Sequence, residues 1–200
     1  MSAARGRSAA SRWRVEEPPA TGAAAQDAEP DQEQVARAIA LRMLTDSPRS
    51  RAQLEQAMAR KAVPDEVAAA VLDRFTEVGL VDDAQYAELV VRSRHAERGL
   101  SSRALRAELR RRGVDDEVSQ EALAQLTPEQ EEATARRLVA RKLASTAGLD
   151  TPVRIRRTLA ALGRKGYPPG LVARLVREEL SSAQILDEAG LLDEAGPLDG

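Results

Sequence analysis

The chain has 200 residues, 42% hydrophobic and 31% charged, enough for one domain or an array of small units. Only 2% are aromatic, so a core must be built from Leu, Val and Ala, and the absence of cysteine excludes disulfides and thiolate metal sites. The net charge of -2 hides an uneven distribution: residues 85–180 hold 19 Lys and Arg against 13 Asp and Glu, a net of +6, and the remainder stands at -8.

Residues 1–30 are rich in Ala, Ser, Gly, Glu and Pro with scattered Arg and no apolar periodicity, which predicts a disordered segment. Their arginines precede no apolar stretch of a signal peptide. No apolar run in the chain approaches the roughly 18–20 residues of a membrane span, so a cytoplasmic protein is expected. Folding is expected to begin near Asp31 with an amphipathic helix, QEQVARAIALRMLTD. The next stretch, RSRAQLEQAMARKAVPDEVAAAVLDRF, holds two more helices, with Pro64 suited to the first turn of the second.

GLVDDAQYAELVVRSR follows, and its paired aspartates pose a choice between chemistry and helix initiation. Asp82 stands three residues before Gln85, the spacing of a capping box, and Asp83 falls in the first turn, where the helix dipole favours a carboxylate. Tyr86, Val90 and Val91 recur at helical spacing, and adjacent aspartates diverge by about 100° around a helix of about 3.6 residues per turn, so the pair starts a helix.

LSSRALRAELRRRGVDDEVSQEALAQL then repeats the earlier stretch at an offset of 51: Ser50, Leu54, Met58, Val63, Val67 and Leu72 match Ser101, Leu105, Leu109, Val114, Val118 and Leu123. After a third leading helix, PEQEEATARRLVARKLAS, whose Thr127, Pro128 and Gln130 form a capping box, PVRIRRTLAALGRKGYPPGLVARLVREEL gives a third copy at an offset of 53. Gly166 falls on Gly113 and Leu162 on Leu109, while Thr158 opposite Leu105 marks an imperfect register. Asp115 and Pro168 open the last helices of these copies, and Gly99, Gly113, Gly148 and Gly166 are expected as C-terminal caps. The fold class is therefore all-α: three tandem three-helix repeats over 31–80, 81–127 and 128–184, stacked into an elongated, curved array. Residues 185–200 form an acidic, flexible tail carrying Asp187, Glu188, Asp193, Glu194 and Asp199.

The order of GLVDDAQYAELVVRSR, ELRRRGVDDEVSQEAL and GRKGYPPGLVARLVREEL resembles the bacterial regulatory RecX family across about 150 residues, strongest in the middle copy. The resemblance implies a modulator of the RecA recombinase that binds the RecA filament on single-stranded DNA. Such a protein limits filament growth and damps the ATPase, strand-exchange and coprotease functions.

The residues offer matching chemistry. Arg103, Arg106 and Arg110 share one face of a helix whose other face carries Leu105 and Leu109, and Arg111 and Arg112 extend the charge. Arg154, Arg157 and Arg164 lie off the line of Ile155, Leu159 and Leu162, Lys165 follows, and Arg92 and Arg94 close the helix that Asp82 begins. Together these residues are the candidate track for the filament or its DNA. Arginines on charged helices also pair with neighbours such as Glu97, Glu108 or Glu131 and do nothing else. Trp13, Phe75, Tyr86 and Tyr167 are too few for a dedicated single-strand binder, and Phe75 and Tyr86 lie on apolar faces as core.

Nothing in the sequence builds an active site. His95 is the sole histidine, set at the polar end of a helix as a surface or interface residue, and no phosphate loop, G-x-S-x-G or metal-ligand spacing occurs. A monomeric, non-enzymatic regulator is expected, with no cofactor and no metal, and with direct DNA contact as a weak addition. The alternative is a tandem helix-turn-helix-like protein acting on duplex DNA, which would place base-reading Asn or Gln on a recognition helix; the chain has no Asn.

Overall fold

The computed structural model describes residues 31–188, with side chains to Ala183. The disorder expected for 1–30 and the tail beyond 188 lie outside the described residues. Nine helices are the regular elements among those described: α1 (Gln32–Asp46), α2 (Arg51–Ala59), α3 (Asp65–Glu77), α4 (Asp83–Arg98), α5 (Ser102–Arg111), α6 (Asp116–Ala124), α7 (Pro128–Ala144), α8 (Thr151–Arg164) and α9 (Pro169–Glu188). The ninth runs four residues past the expected repeat boundary at 184, so the first part of the expected tail is helical.

Local chemistry sets most of these boundaries. Asp31 accepts the Glu33 N–H at 3.0 Å to start α1. Full capping boxes start α2, between Ser50 and Gln53, and α7, between Thr127 and Gln130. Asp82 accepts the Gln85 N–H at 2.9 Å, but Gln85 does not return the bond, so the expected box is one-armed. Asp83 serves a different helix: its carboxylate accepts the N–H of Arg51, the first residue of α2, at 2.8 Å. Burial pushes the Asp83 carboxyl above its ordinary range, partly opposed by the Arg51 amide and guanidinium. The aspartate pair thus caps two helices in two repeats.

Gly99, Gly113 and Gly166 take left-handed φ of 59°, 74° and 90° at helix ends, as does Gly79 at 72°. Gly148 does not; it sits in the irregular turn between α7 and α8, so the expected cap there is not formed.

Three separate cores fill the repeats. Leu54, Met58, Leu72 and Phe75 anchor the first, Leu105, Leu109 and Tyr86 the second, and Leu162, Leu175, Val172 and Tyr167 the third. Small residues such as Ala36, Ala40, Ala87 and Ala135 are fully buried and let the helices approach closely, which is how a chain poor in aromatics closes its cores. Thr158 is also fully buried, at the place of Leu105, with its hydroxyl donating to the Arg154 carbonyl at 2.9 Å. The register of the third copy is therefore intact, and the threonine is satisfied within its own helix.

Tyr167 stands where the other copies have Val63 and Val114, and its buried hydroxyl has no hydrogen-bond partner among the described residues. Burial pushes the phenol from 10.0 up to about 12. A raised folded value means that the stability it confers is complete below pH 10.0 and is lost as pH rises through about 12. Tyr167→Phe is expected to raise the melting temperature at pH 7, since an unsatisfied buried hydroxyl costs about 1–3 kcal/mol. It should also flatten the alkaline decline, which is about 1.4 kcal/mol per pH unit for one proton. Thermal melts from pH 7 to 12 check both; a less stable mutant with the parent's alkaline slope would count against it.

Helix packing is concentrated within each triplet, and the middle helices of successive triplets meet end to start. At the C-terminus of α5, the Arg112 carbonyl accepts the Ser50 hydroxyl at 2.5 Å, at the start of α2. At the C-terminus of α8, the Lys165 carbonyl accepts the Ser101 N–H at 3.0 Å, at the start of α5. The matched serines are thus junction residues as well as caps, and α8, α5 and α2 follow one another along the array.

Candidate functional site

The candidate arginines divide into an outward set and an inward set. On α5, Leu105 and Leu109 are fully buried while Arg103, Arg106, Arg110 and Arg111 are exposed. Arg110 is held by both carboxylate oxygens of Asp116, each at 3.0 Å. Arg92 on α4 and Arg157 and Arg164 on α8 are also exposed. Arg156, beside Arg157, is exposed as well and was missed by the sequence reading, although it matches Arg103 at the offset of 53.

Arg94, Arg112, Arg154 and Lys165 do not belong to an open track. Glu108, only 11% exposed, accepts from Arg112 Nη2 at 2.6 Å and lies 3.4 Å from Arg94 Nε, and Arg94 also reaches Glu97 at 3.9 Å. Arg112 Nη1 donates to the Tyr86 hydroxyl at 2.6 Å, which ties α5 to α4. Arg154 donates to the Leu143 carbonyl at 3.3 Å across the α7–α8 turn. The Lys165 ammonium donates to the Arg98 carbonyl at the end of α4, and burial, then Arg141 and Arg98, hold its pKa below the ordinary lysine range. These four guanidinium and ammonium groups brace the repeats.

The junction between repeats two and three carries further polar ties. His95 Nδ1 meets the Leu100 carbonyl at 2.9 Å and must donate to it; Nε2 meets the Thr134 hydroxyl at 3.0 Å, and that hydroxyl accepts from Arg137 at 3.0 Å. Ser102 donates to Glu131 across the same junction. His95 is therefore an interface residue between repeats. Among the described residues no cluster of His, Cys, Asp and Glu is arranged to hold a metal ion, and no helix is long and apolar enough to cross a membrane.

What the arrangement offers chemically is a succession of exposed guanidinium groups, of which Arg110 alone is paired with a carboxylate among the described residues. The end-to-start junctions place the exposed arginines of α8 before those of α5, with Arg164 and Arg111 in the last turns beside each junction. Such groups match phosphates or carboxylates in bidentate geometry.

Comparison with known proteins agrees with the repeat pattern. Family models described as the first, second and third three-helix domains of RecX match residues 36–75, 82–123 and 129–176. A protein named Regulatory protein RecX from Thermobifida fusca is 60% identical over 147 residues, 74% of this chain and 80% of its own length. Its namesake from Streptomyces coelicolor is 50% identical over 158 residues, 78% of this chain and 84% of its own. The crystal structure of RecX from Lactobacillus salivarius shares the fold with a TM-score of 0.66 at 17% identity, covering 74% of this chain and 97% of that one.

Proposed function

The chain belongs to the RecX family, and from that premise we propose that it is a non-enzymatic regulator that binds the RecA filament on single-stranded DNA. Binding limits filament growth and lowers its ATPase, strand-exchange and coprotease activities. The observation that carries the reading is that all three repeats match the family in order. The chemistry that supports it is the run of exposed arginines on consecutive middle helices, which meets DNA phosphates or acidic protein surface at several points at once. Arg92, Arg103, Arg106, Arg111, Arg156, Arg157 and Arg164 are the contact residues in this reading, with Arg110 shared with Asp116.

The test compares affinity for RecA-coated and bare single-stranded DNA at one salt concentration, and follows the RecA ATPase during titration. Preference for the coated strand and a falling ATPase are expected. Equal affinity for bare DNA, or an ATPase unmoved over a full titration, would reject the reading. Changing Arg103, Arg106 and Arg111 together to Glu is expected to lower filament affinity by on the order of tenfold or more at low salt, where screening is weak. Melting should barely move, since exposed substitutions shift stability by about ±0.5 kcal/mol each. The same reversal at Arg37, Arg42 and Arg60 in repeat one should cost less affinity.

A further inference from the structure

The chain has three lysines, Lys61, Lys142 and Lys165, and the last two line one pocket. It has a volume of about 310 Å³ and lies between the last turns of α7 and α8, with Arg141 beside the lysines and Leu138 and Leu162 as an apolar floor. The Lys165 ammonium donates to the Arg98 carbonyl, which brings the end of α4 to the same place. Four cations therefore converge there, and none of them pairs with a carboxylate among the described residues. Arg98 and Arg141 are exposed, Lys142 and Lys165 half-buried. Their crowding is felt: burial, then Arg141 and Arg98, hold Lys165 below the ordinary lysine range.

Cations are ordinary at helix C-termini, where the macrodipole presents about half a negative charge. Three such ends offset about 1.5 charges, so the four cations leave an excess of about 2.5. A chain with 32 acidic residues leaves that excess open. The space suits a hydrated anion, since it equals about ten waters at about 30 Å³ each. No aromatic side chain lines it, so a base has nothing to stack on and recognition falls to charge. Successive phosphates put two charges within the width of one pocket. Carboxylates on neighbouring residues of an extended peptide point to opposite sides and do not.

We propose that this pocket is a phosphate site, in which Arg98, Arg141 and Lys142 bind two or more neighbouring phosphate groups of a nucleotide or a nucleic-acid strand, above Lys165 and the leucine floor. Arginine supplies the bidentate fork and lysine the point charge that such groups take. The site is separate from the outward arginines of α5 and α8, and it does not rest on the RecA reading.

The scarcity of lysine makes the test direct. Full-length protein carrying isotope-labelled lysine is titrated with thymidine triphosphate, and separately with a thymidine hexanucleotide, at constant ionic strength and without RecA. The side-chain signals of Lys142 and Lys165 should shift while that of Lys61 stays, and the Lys165 pKa should rise toward the ordinary range as phosphate neutralises its neighbours. Arg98→Glu with Arg141→Glu should lower the affinity by on the order of tenfold or more. The same pair of changes should leave the melting temperature equal or higher, because it relieves repulsion around Lys165. Should that variant fail to fold, Arg98→Gln with Arg141→Gln decides, with a smaller loss of affinity expected. Binding of the triphosphate alone identifies a free nucleotide and tighter binding of the hexanucleotide a strand, and either upholds the site. Four results overturn it: neither probe shifts Lys142 and Lys165, Lys61 moves as far as they do, sulfate at the same ionic strength acts equally, or the substitutions leave affinity unchanged.

Discussion

Glu108→Ala is expected to cost about 3–5 kcal/mol, the range for removing one partner from a buried charge cluster. The Glu108 side chain is 11% exposed and accepts from Arg112 at 2.6 Å with Arg94 at 3.4 Å. Without it, two half-buried guanidinium groups face each other with no carboxylate between them, and Arg112 keeps only the Tyr86 hydroxyl. Both arginines retain some solvent, 28% and 25% exposed, so the lower end of the range is the better expectation. Urea denaturation of the single mutant gives the number. A control separates charge from packing: Glu108→Met together with Arg94→Leu and Arg112→Met should recover most of the loss, because an apolar replacement of a whole buried cluster is often neutral. Asp116→Ala supplies the contrast, since it breaks a pair whose members are 68% and 61% exposed and should cost under about 1 kcal/mol. A Glu108→Ala loss no larger than that of Asp116→Ala would mean that the cluster contributes nothing beyond a surface pair.

The same cluster shows what the sequence conveyed and what it withheld. Helix starts were readable because Asp82, Asp115, Thr127 and the prolines act within a few residues of themselves. The repeat was readable because each copy buries leucines at the same places, and even Thr158, which looked out of register, fills its leucine's position. The division of the arginines was harder. Arg112 lies seven residues after the fully buried Leu105 and three after Leu109, on the stripe that also holds Glu108. Lys165 bears the same relation to Thr158 and Leu162, and Arg154 lies one turn before Thr158. Their spacing therefore pointed inward, and composition, which treats every arginine as surface, concealed it. The role of Asp83 at the start of α2 had no local signal, because its partner Arg51 is 32 residues away and the contact exists only once two repeats have docked.

Docking of repeats makes the last prediction the most demanding test of the architecture. Gly166→Ala is expected to destabilise the protein by about 2–5 kcal/mol, from two separable sources. A left-handed φ of 90° costs a residue with a β-carbon about 1–2 kcal/mol. The new carbon would also overlap the Ser101 hydroxyl and stand 2.8 Å from the Ala104 β-carbon and 3.0 Å from the Ala104 amide nitrogen, at the start of α5. Forcing a methyl into such contact adds about 1–3 kcal/mol. Gly113→Ala should behave alike, because its β-carbon would overlap that of Ala52 at the start of α2. Gly79→Ala isolates the first source: φ is 72°, but nothing lies within 4 Å of the added carbon, so only the backbone cost should appear. Repeat one shows the same logic in the natural sequence. At the position of Gly113 and Gly166 it carries Ala62, the one described residue other than glycine with positive φ, at 57°. Among the described residues no further repeat stacks on that end, and the Ala62 methyl is exposed. Ala62→Gly should accordingly be stabilising by up to about 1 kcal/mol, the relief of backbone strain less the added entropy of the unfolded chain. Thermal melts of the four variants decide it: if Gly166→Ala and Gly79→Ala cost the same, the methyl-sized gap at the repeat junctions is not what holds α8, α5 and α2 in succession, and the order of exposed arginines along them would need another cause.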